Sequence, residues 1–315
     1  MGIENGPRSS LVIGTRGSRL ATLQAEWVQS RLRELAPHLS IRLQRIRTSG
    51  DKIVDVPLAK IGGKGLFVKE IEEALLRGEI DLAVHSMKDV PSALPQGLAI
   101  VCIPEREDPR DVLLSRDGLV LEKLRLGAEV GTSSLRRQAQ LLFYRSDLSI
   151  HMLRGNLDTR LRKLQDGEYD AIVLAAAGLR RLGWNGQVTE YLSPQVSLPA
   201  IGQGALALEG RQDDSFVQEL IGPLDHPHTR VAVTAERAFL ARLEGGCQVP
   251  IGGYAVVHDH TLSLDGLVAS VDGKRVVRDT IRGPVQEARQ LGLQLAERLL
   301  GAGGDSILND IYGQA

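Results

Sequence analysis

"IGTRGSRLATLQ", residues 13–24, is echoed further along the chain by "VGTSSLRRQAQL", residues 130–141. Each copy runs from a short apolar strand through a Gly-Thr turn with Ser and Arg into a helix. A second pair, "GEIDLAV" (78–84) and "GEYDAIV" (167–173), follows in the same order. Two ordered echoes point to two α/β domains of similar topology. Strands alternating with helices predict a mainly parallel sheet in each, with helices on both faces.

Around the first copy, "LVIGT" (11–15) reads as a buried strand and residues 18–36 as a helix. In that helix Leu20, Leu23, Trp27, Val28, Leu32 and Leu35 recur at helical spacing, and Pro37 stops it. A second helix spans 66–78 and ends at Gly78, and "IDLAVHS" (80–86) and "LAIVCI" (98–103) are strands. Pro and polar residues mark joints at "IPEREDPRD" (103–111) and "LSPQVSLPAIGQG" (192–204). After the second joint, "ALALE" (205–209) reads as a strand returning to the first domain. Two crossings make a hinge with a cleft between the domains. The last third reads as a small α+β domain. A helix at 229–246 is followed by antiparallel strands joined by the turn "VDGK" (271–274) and by two closing helices. The division is 1–104 with 204–222, then 105–203, then 223–315.

A chain of 315 residues exceeds one core, consistent with several domains. Net charge −1 and 3% aromatic residues argue against a nucleic-acid binder. "MGIENGPRSS" lacks a signal-peptide core, and Gly6 stands where a myristoylation signal needs a hydroxyl. Apolar runs such as "AIVLAAAGL" (171–179) are too short to span a bilayer. Two cysteines, Cys102 and Cys247, form no disulfide framework. These features read as a reduced, cytoplasmic enzyme or binding protein. Only eight of the 38 basic residues are lysine, so planar, bidentate arginine carries the positive charge.

The loops "GTRGSR" and "GTSSLRR" lead into helix N-termini and hold Arg16, Ser18, Ser134, Arg136 and Arg137. One such loop alone reads as N-capping; two of one type read as an anion site. "AKIGGKGLF" (59–67) carries Lys60 and Lys64 but is no P-loop, since Gly65 replaces the required hydroxyl residue. It reads as a lid over an anion or as a plain surface loop. "HSMKDVP" (85–91) sets Lys88 and Asp89 at the carboxyl end of a strand, where ligands bind in α/β folds, though a helix-start Asp with a solvated Lys fits as well. "LRGNLDTR" (153–160) and "AGLRRLG" (177–183) add Arg154, Arg160, Arg180 and Arg181. The pairs His226/His228 and His258/His260 have no third ligand and read as surface histidines, with no metal site. Cys102 lies in an apolar run, whereas Cys247 in "RLEGGCQVPIGG" (242–253) follows two glycines and reads as an accessible thiol, a nucleophile or a covalent tether.

Taken together, "TRGSRLA", "PLAKIGGKGLFVKE", "AVHSMKDVP", "EREDPRDV", "GTSSLRRQAQL", "LRGNLDTRL", "LPAIGQGAL" and "ERAFLARLEGGCQVPIGGYA" closely resemble the porphobilinogen deaminase, or hydroxymethylbilane synthase, family over nearly the whole chain. The resemblance implies two doubly wound α/β domains of periplasmic-binding-protein type with a hinged cleft, plus the α+β domain. It implies a monomeric transferase whose substrate is porphobilinogen, four molecules of which are joined with loss of ammonia. It implies a dipyrromethane cofactor held by a thioether to Cys247, and no metal. Asp89 is then the catalytic carboxylate. Lys88, Ser134, Arg136, Arg137 and Arg160 hold the cofactor's acids. Arg16, Ser18, Arg154, Arg160 and Arg181 hold the incoming units, and Lys60 and Lys64 belong to a covering loop. One departure is Met152, apolar where the family's pattern implies a small polar residue. Two other classes share parts of this reading: a non-enzymatic anion receptor, and a thiol transferase with a transient acyl intermediate.

Overall fold

The structure, a computed structural model, describes residues 8–52, 65, 67–244 and 249–313. The chain opens with β1 (Ser10–Arg16), α1 (Arg19–Leu35), β2 (Ser40–Ile46) and the single turn α2 (Ser49–Lys52). It continues through α3 (Lys69–Leu76), β3 (Leu82–Ser86) and β4 (Leu98–Cys102). Beyond the first joint come β5 (Asp111–Ser115), β6 (Glu129–Gly131), α4 (Leu135–Tyr144), β7 (Ser149–His151), α5 (Leu157–Gln165), β8 (Ala171–Ala175), α6 (Ala176–Arg181) and β9 (Glu190–Tyr191). After the second joint the chain returns as β10 (Leu206–Arg211) and α7 (Ser215–Ile221).

The first sheet has the order β2-β1-β3-β10-β4 and the second β7-β6-β8-β5-β9. In the first, β1 is parallel to β2 and β3, and β10 is antiparallel to β3 and β4. In the second, β6 is parallel to β7 and β8, and β5 is antiparallel to β8 and β9. The two sheets therefore match strand for strand, and the sequence echoes mark a repeated topology. Each sheet is mainly parallel, as expected, with one of its five strands reversed. The reversed strand is the one that follows a joint. Each joint leaves a carboxyl edge of one sheet and enters the carboxyl edge of the other, so the next strand must run backwards.

Helices cover both faces of each sheet. In the first, Leu11, Ile13, Leu82, Val84 and Leu208 pack under α1 and α7, while Val12, Ala83 and Leu98 pack under α3. The expected apolar stripe of α1 is partly wrong: Trp27 is 41% exposed and Leu35 also faces outward. The helix instead buries Thr22, Gln24, Ala25, Val28 and Leu32. Ala25, between Val28 and the first turn, lets the helix lie close to the sheet, which turns Trp27 out against Arg31. No described helix is long and apolar enough to cross a membrane.

The third sheet is the antiparallel meander β11 (Ile251–His258), β12 (Thr261–Ala269) and β13 (Val276–Pro284). It is backed by α8 (Pro227–Arg242), α9 (Ala288–Leu299) and α10 (Asp305–Tyr312), around the fully buried Phe239. The chain forms two compact units. One holds the N-terminal segment, Gly65–Glu105 and Ala205–His226; the other holds Arg106–Gly204 and Pro227–Ala315. Within the second unit, Gly253 N–H donates to the Pro199 carbonyl at 2.9 Å. The β12–β13 turn also presses on α4, where any Cβ on Gly273 (φ +71°) would meet the Ala139 carbonyl. Arg106 pairs with buried Glu236 at 2.5 Å, and Glu236 also accepts from the Gly202 and Ala255 N–H groups at 2.7 and 2.9 Å.

Asp111, the first residue of β5, is completely buried. Its carboxylate accepts from Arg136 at 2.8 Å, Arg137 at 2.7 Å, Ser197 at 2.7 Å and Gln203 at 2.8 Å. Burial opposes its ionisation, but the two guanidiniums prevail and hold it well below the usual carboxylate range. Replacing Asp111 by Asn leaves two buried cations without their counter-charge. Unfolding in denaturant should show a loss of about 3–5 kcal/mol; a loss under about 1 kcal/mol would contradict this role.

Candidate active site

The functional residues of the first unit sit at the carboxyl edge of its parallel strands. β1 and β3 pair in register at Ile13↔Leu82 and Gly14↔Ala83, so their ends lie level. Beyond β1, Ser18 caps α1 by accepting from Ala21 N–H at 3.3 Å, and Thr15 Oγ donates to the Ala21 carbonyl at 3.0 Å. The Arg16 guanidinium lies 4.2 Å from the centre of the Phe67 ring, a cation–π stack. Beyond β3, a short helical turn, Met87–Asp89, presents Lys88 to solvent and leaves Asp89 half-buried. That turn is fixed from behind by Met87 N–H donating to the Ala205 carbonyl at 3.0 Å. Gln24 donates to Ser86 Oγ at 3.2 Å and ties α1 to the end of β3.

In the second unit the loops after β6, β7 and β8 share one edge, since β6 runs parallel to both neighbours. Ser134 caps α4, its Oγ accepting from Arg137 N–H at 3.4 Å, and Ser133 Oγ donates to the Leu153 carbonyl of the next loop. Arg136 and Arg137 point into the protein toward Asp111. Arg136 also donates to the Leu198 carbonyl at 2.5 Å, and Arg137 to that of Val173 at 3.0 Å. Arg136 and Arg137 are thus both buried and both paired with Asp111, and Arg136 Nε makes no hydrogen bond among the described residues.

Arg154, Arg160 and Arg181 are held differently. Arg160 Nε donates to the Gly155 carbonyl at 2.9 Å, and Arg154 Nε contacts Met152 Sδ at 3.4 Å. Met152 therefore gives Arg154 a soft acceptor where a polar side chain was expected. Neither arginine forms an ion pair among the described residues. Burial, then the charges of Arg137 and Arg154, pull Arg160 down to about 10. Arg181 is pulled down to about 10 by burial, with Glu107 opposing, and Nη2 donates to the Gly204 carbonyl at 2.7 Å. Arg160, lowered by two neighbouring cations and without a carboxylate partner among the described residues, makes a site for an added anion. The structure thus brings Arg137, Arg154 and Arg160 together, while Arg181 answers to Glu107. Cys247, Lys60 and Lys64 lie outside the described residues.

Sequence reasoning missed the buried acids that support this site: Asp111, Glu236, and Glu209 beside His85. A signal was present. Asp111 heads the apolar strand "DVLLS", and Glu209 interrupts "LALEGR". A lone ionisable residue in a strand otherwise apolar is a buried residue that needs a partner.

Residues 11–219 match the family model described as "Porphobilinogen deaminase, dipyromethane cofactor binding domain", and residues 231–301 match "Porphobilinogen deaminase, C-terminal domain". The porphobilinogen deaminase of Syntrophotalea carbinolica is 61% identical over 95% of this chain and 95% of its own length. That of Geobacter metallireducens is 58% identical over 96% and 95%. Among solved structures, the periplasmic aliphatic sulphonate binding protein SsuA from Escherichia coli aligns with a TM-score of 0.39 and 16% identity, covering 76% of this chain and 71% of its own.

Arg160→Met removes one of three crowded cations and keeps the stem's packing. The ligand-free protein is expected to melt about 2–4 °C higher, the shift given by roughly 1 kcal/mol. The rise in Tm that citrate gives the parent should shrink. Thermal scans with and without citrate measure both; a lower Tm with an undiminished citrate response would refute the cluster's role.

Proposed function

The chain belongs to the porphobilinogen deaminase family, and on that premise we propose that it joins four porphobilinogen molecules head to tail on a dipyrromethane held by a thioether to Cys247, then releases hydroxymethylbilane by hydrolysis. The observation that carries this reading is the arginine cluster. Arg154 and Arg160, crowded by Arg137, have no carboxylate partner among the described residues. Porphobilinogen bears an acetate and a propionate, so the primer and every added unit bring the carboxylates the cluster lacks. The residues present therefore fit the cofactor.

When bound, the dipyrromethane supplies the free pyrrole α-carbon to which the first unit is joined. Lys88, Ser134, Arg136, Arg137 and Arg160 hold its acids. Arg16, Ser18, Arg154, Arg160 and Arg181 hold those of the incoming units. Ser18 and Ser134 accept at their helix caps and still have a hydroxyl proton to donate to an anion. Phe67 holds the Arg16 guanidinium by its face. Lys60 and Lys64 belong to a loop that covers the site, and the third domain, 223–315, carries the thiol.

Asp89 does the proton work. Loss of ammonia from porphobilinogen leaves an electron-poor cation, which a half-buried carboxylate stabilises. After the new carbon–carbon bond forms, a proton must leave the attacked pyrrole, and the same carboxylate can take it. The protein acts as a cytoplasmic monomer without metal or nucleic acid. Net charge −1 supports the last point, and the absence of any membrane-spanning helix among the described residues supports the first.

Intact mass tests the whole reading. The purified protein should exceed its sequence mass by one dipyrromethane, and Cys247→Ser should weigh what its sequence says and turn over nothing. A parent at bare sequence mass would point to a binding module or a transient thiol intermediate. Asp89→Asn should keep the added mass yet lose about 10²–10⁴-fold in kcat, the usual worth of a positioned acid–base group; near-parental turnover would remove Asp89 from the mechanism.

A further inference from the structure

Three buried ionisable side chains in the first unit have no part in the chemistry above: Glu72 on α3, His85 on β3 and Glu209 on β10. They are 7%, 5% and 0% exposed. His85 Nε2 lies 3.0 Å from Glu209 Oε2. The contact is close but not aligned, for Nε2, both Glu209 oxygens and Glu72 Oε1 make no directed hydrogen bond. The three do not gather as metal ligands.

Charges on the packed elements give no relief. On α3, Lys69 is exposed, Glu73 faces Arg77 and Glu70 accepts from Ser49. On β10, Arg211 is engaged by Asp81, Asp214 and the carbonyls of Leu75 and Ile80. Strand β4 has no charged residue, and Asp81, ahead of β3, faces Arg8 and Arg211. Burial first, and Glu209 second, push Glu72 up to about 7, with His85 opposing, so Glu72 is the acid that keeps its proton.

The cluster stands directly behind the functional edge. Strand pairing sets Ala207 opposite His85 and Leu206 opposite Ser86, and the next residues are Met87, Lys88 and Asp89. Helix α3 begins just after Phe67, the ring that stacks on Arg16. Resting on the reading of Asp89 given above, we propose that Glu72, His85 and Glu209 are positioning residues, a proton-holding clamp across α3, β3 and β10 that keeps Arg16, Lys88 and Asp89 placed for the reaction.

The sign follows from linkage. The folded value of Glu72 lies above its ordinary 4.5, so its contribution to stability is complete below that value and is lost as pH rises through about 7. Above that pH a second buried negative charge faces Glu209, and α3 loosens from β3.

The test compares the holoenzyme with Glu72→Gln, which cannot ionise, from pH 5 to 9. Tm of the parent should fall relative to E72Q between pH 5 and 7 and run parallel above. With porphobilinogen as substrate, kcat of the parent relative to E72Q should fall about threefold or more between pH 6 and 8.5, with KM within about twofold. Glu209→Gln should shrink the same pH dependence without removing it, because burial of Glu72 remains; an undiminished dependence would remove Glu209 from the clamp. Parallel Tm curves throughout would overturn the clamp. Diverging Tm curves with a flat kcat ratio would leave a structural cluster and overturn its positioning role. If the parent consumes no porphobilinogen, the functional reading fails and takes the positioning role with it, while the Tm comparison still decides where Glu72 holds its proton.

Discussion

Asp111 accepts at once from Arg136, Arg137, Ser197 and Gln203, from a position with no access to water. These partners come from α4 and from the second joint, so one carboxylate ties the start of β5 to both. It fixes where α4 begins, and with it the Ser134 cap and the loop that contacts Leu153. Without it, two guanidiniums would stand buried beside each other, which no rearrangement of α4 alone could relieve.

The same residue type serves two opposite purposes here. Arg136 and Arg137 both meet the buried Asp111 and tie α4 to β5, and the charge of Arg137 also reaches Arg160. Arg154, Arg160 and Arg181 are bound only through carbonyls or a thioether, and two of them hold their protons less firmly than usual. Arginine suits both purposes because its planar fork can face a carboxylate on one edge and a carbonyl on another. A lysine at any of these places would lose one of the two directions.

Much of this was legible in advance. The Gly-Thr-Ser-Arg echoes reported a repeated topology because the strand-to-helix turn is built by local chemistry: a cap, a turn and an apolar strand. Trp27 was misread because helical spacing reveals an amphipathic helix but not how far it rotates on a sheet. The reversed strands β5 and β10 were hidden because strand direction depends on where a joint delivers the chain, which no local pattern records. The partners of Asp111, Glu236 and the Glu72–His85–Glu209 cluster lie far away in sequence, so no local motif names them.

The place of β10 in its sheet has a further consequence, for the order in which the protein can form. β4 is bound to its sheet only through β10, which lies between it and β3. Until the ribosome has released residues 206–211, β4 has no neighbour and the edge of β3 is open. The second sheet has no such debt, because β5 to β9 follow one another along the chain. The later-made sheet can thus close first, and the earlier one must wait through a long loop closure that slows its completion. During that wait an apolar strand edge is uncovered, which makes this interval the one in which a nascent chain most needs protection from its neighbours.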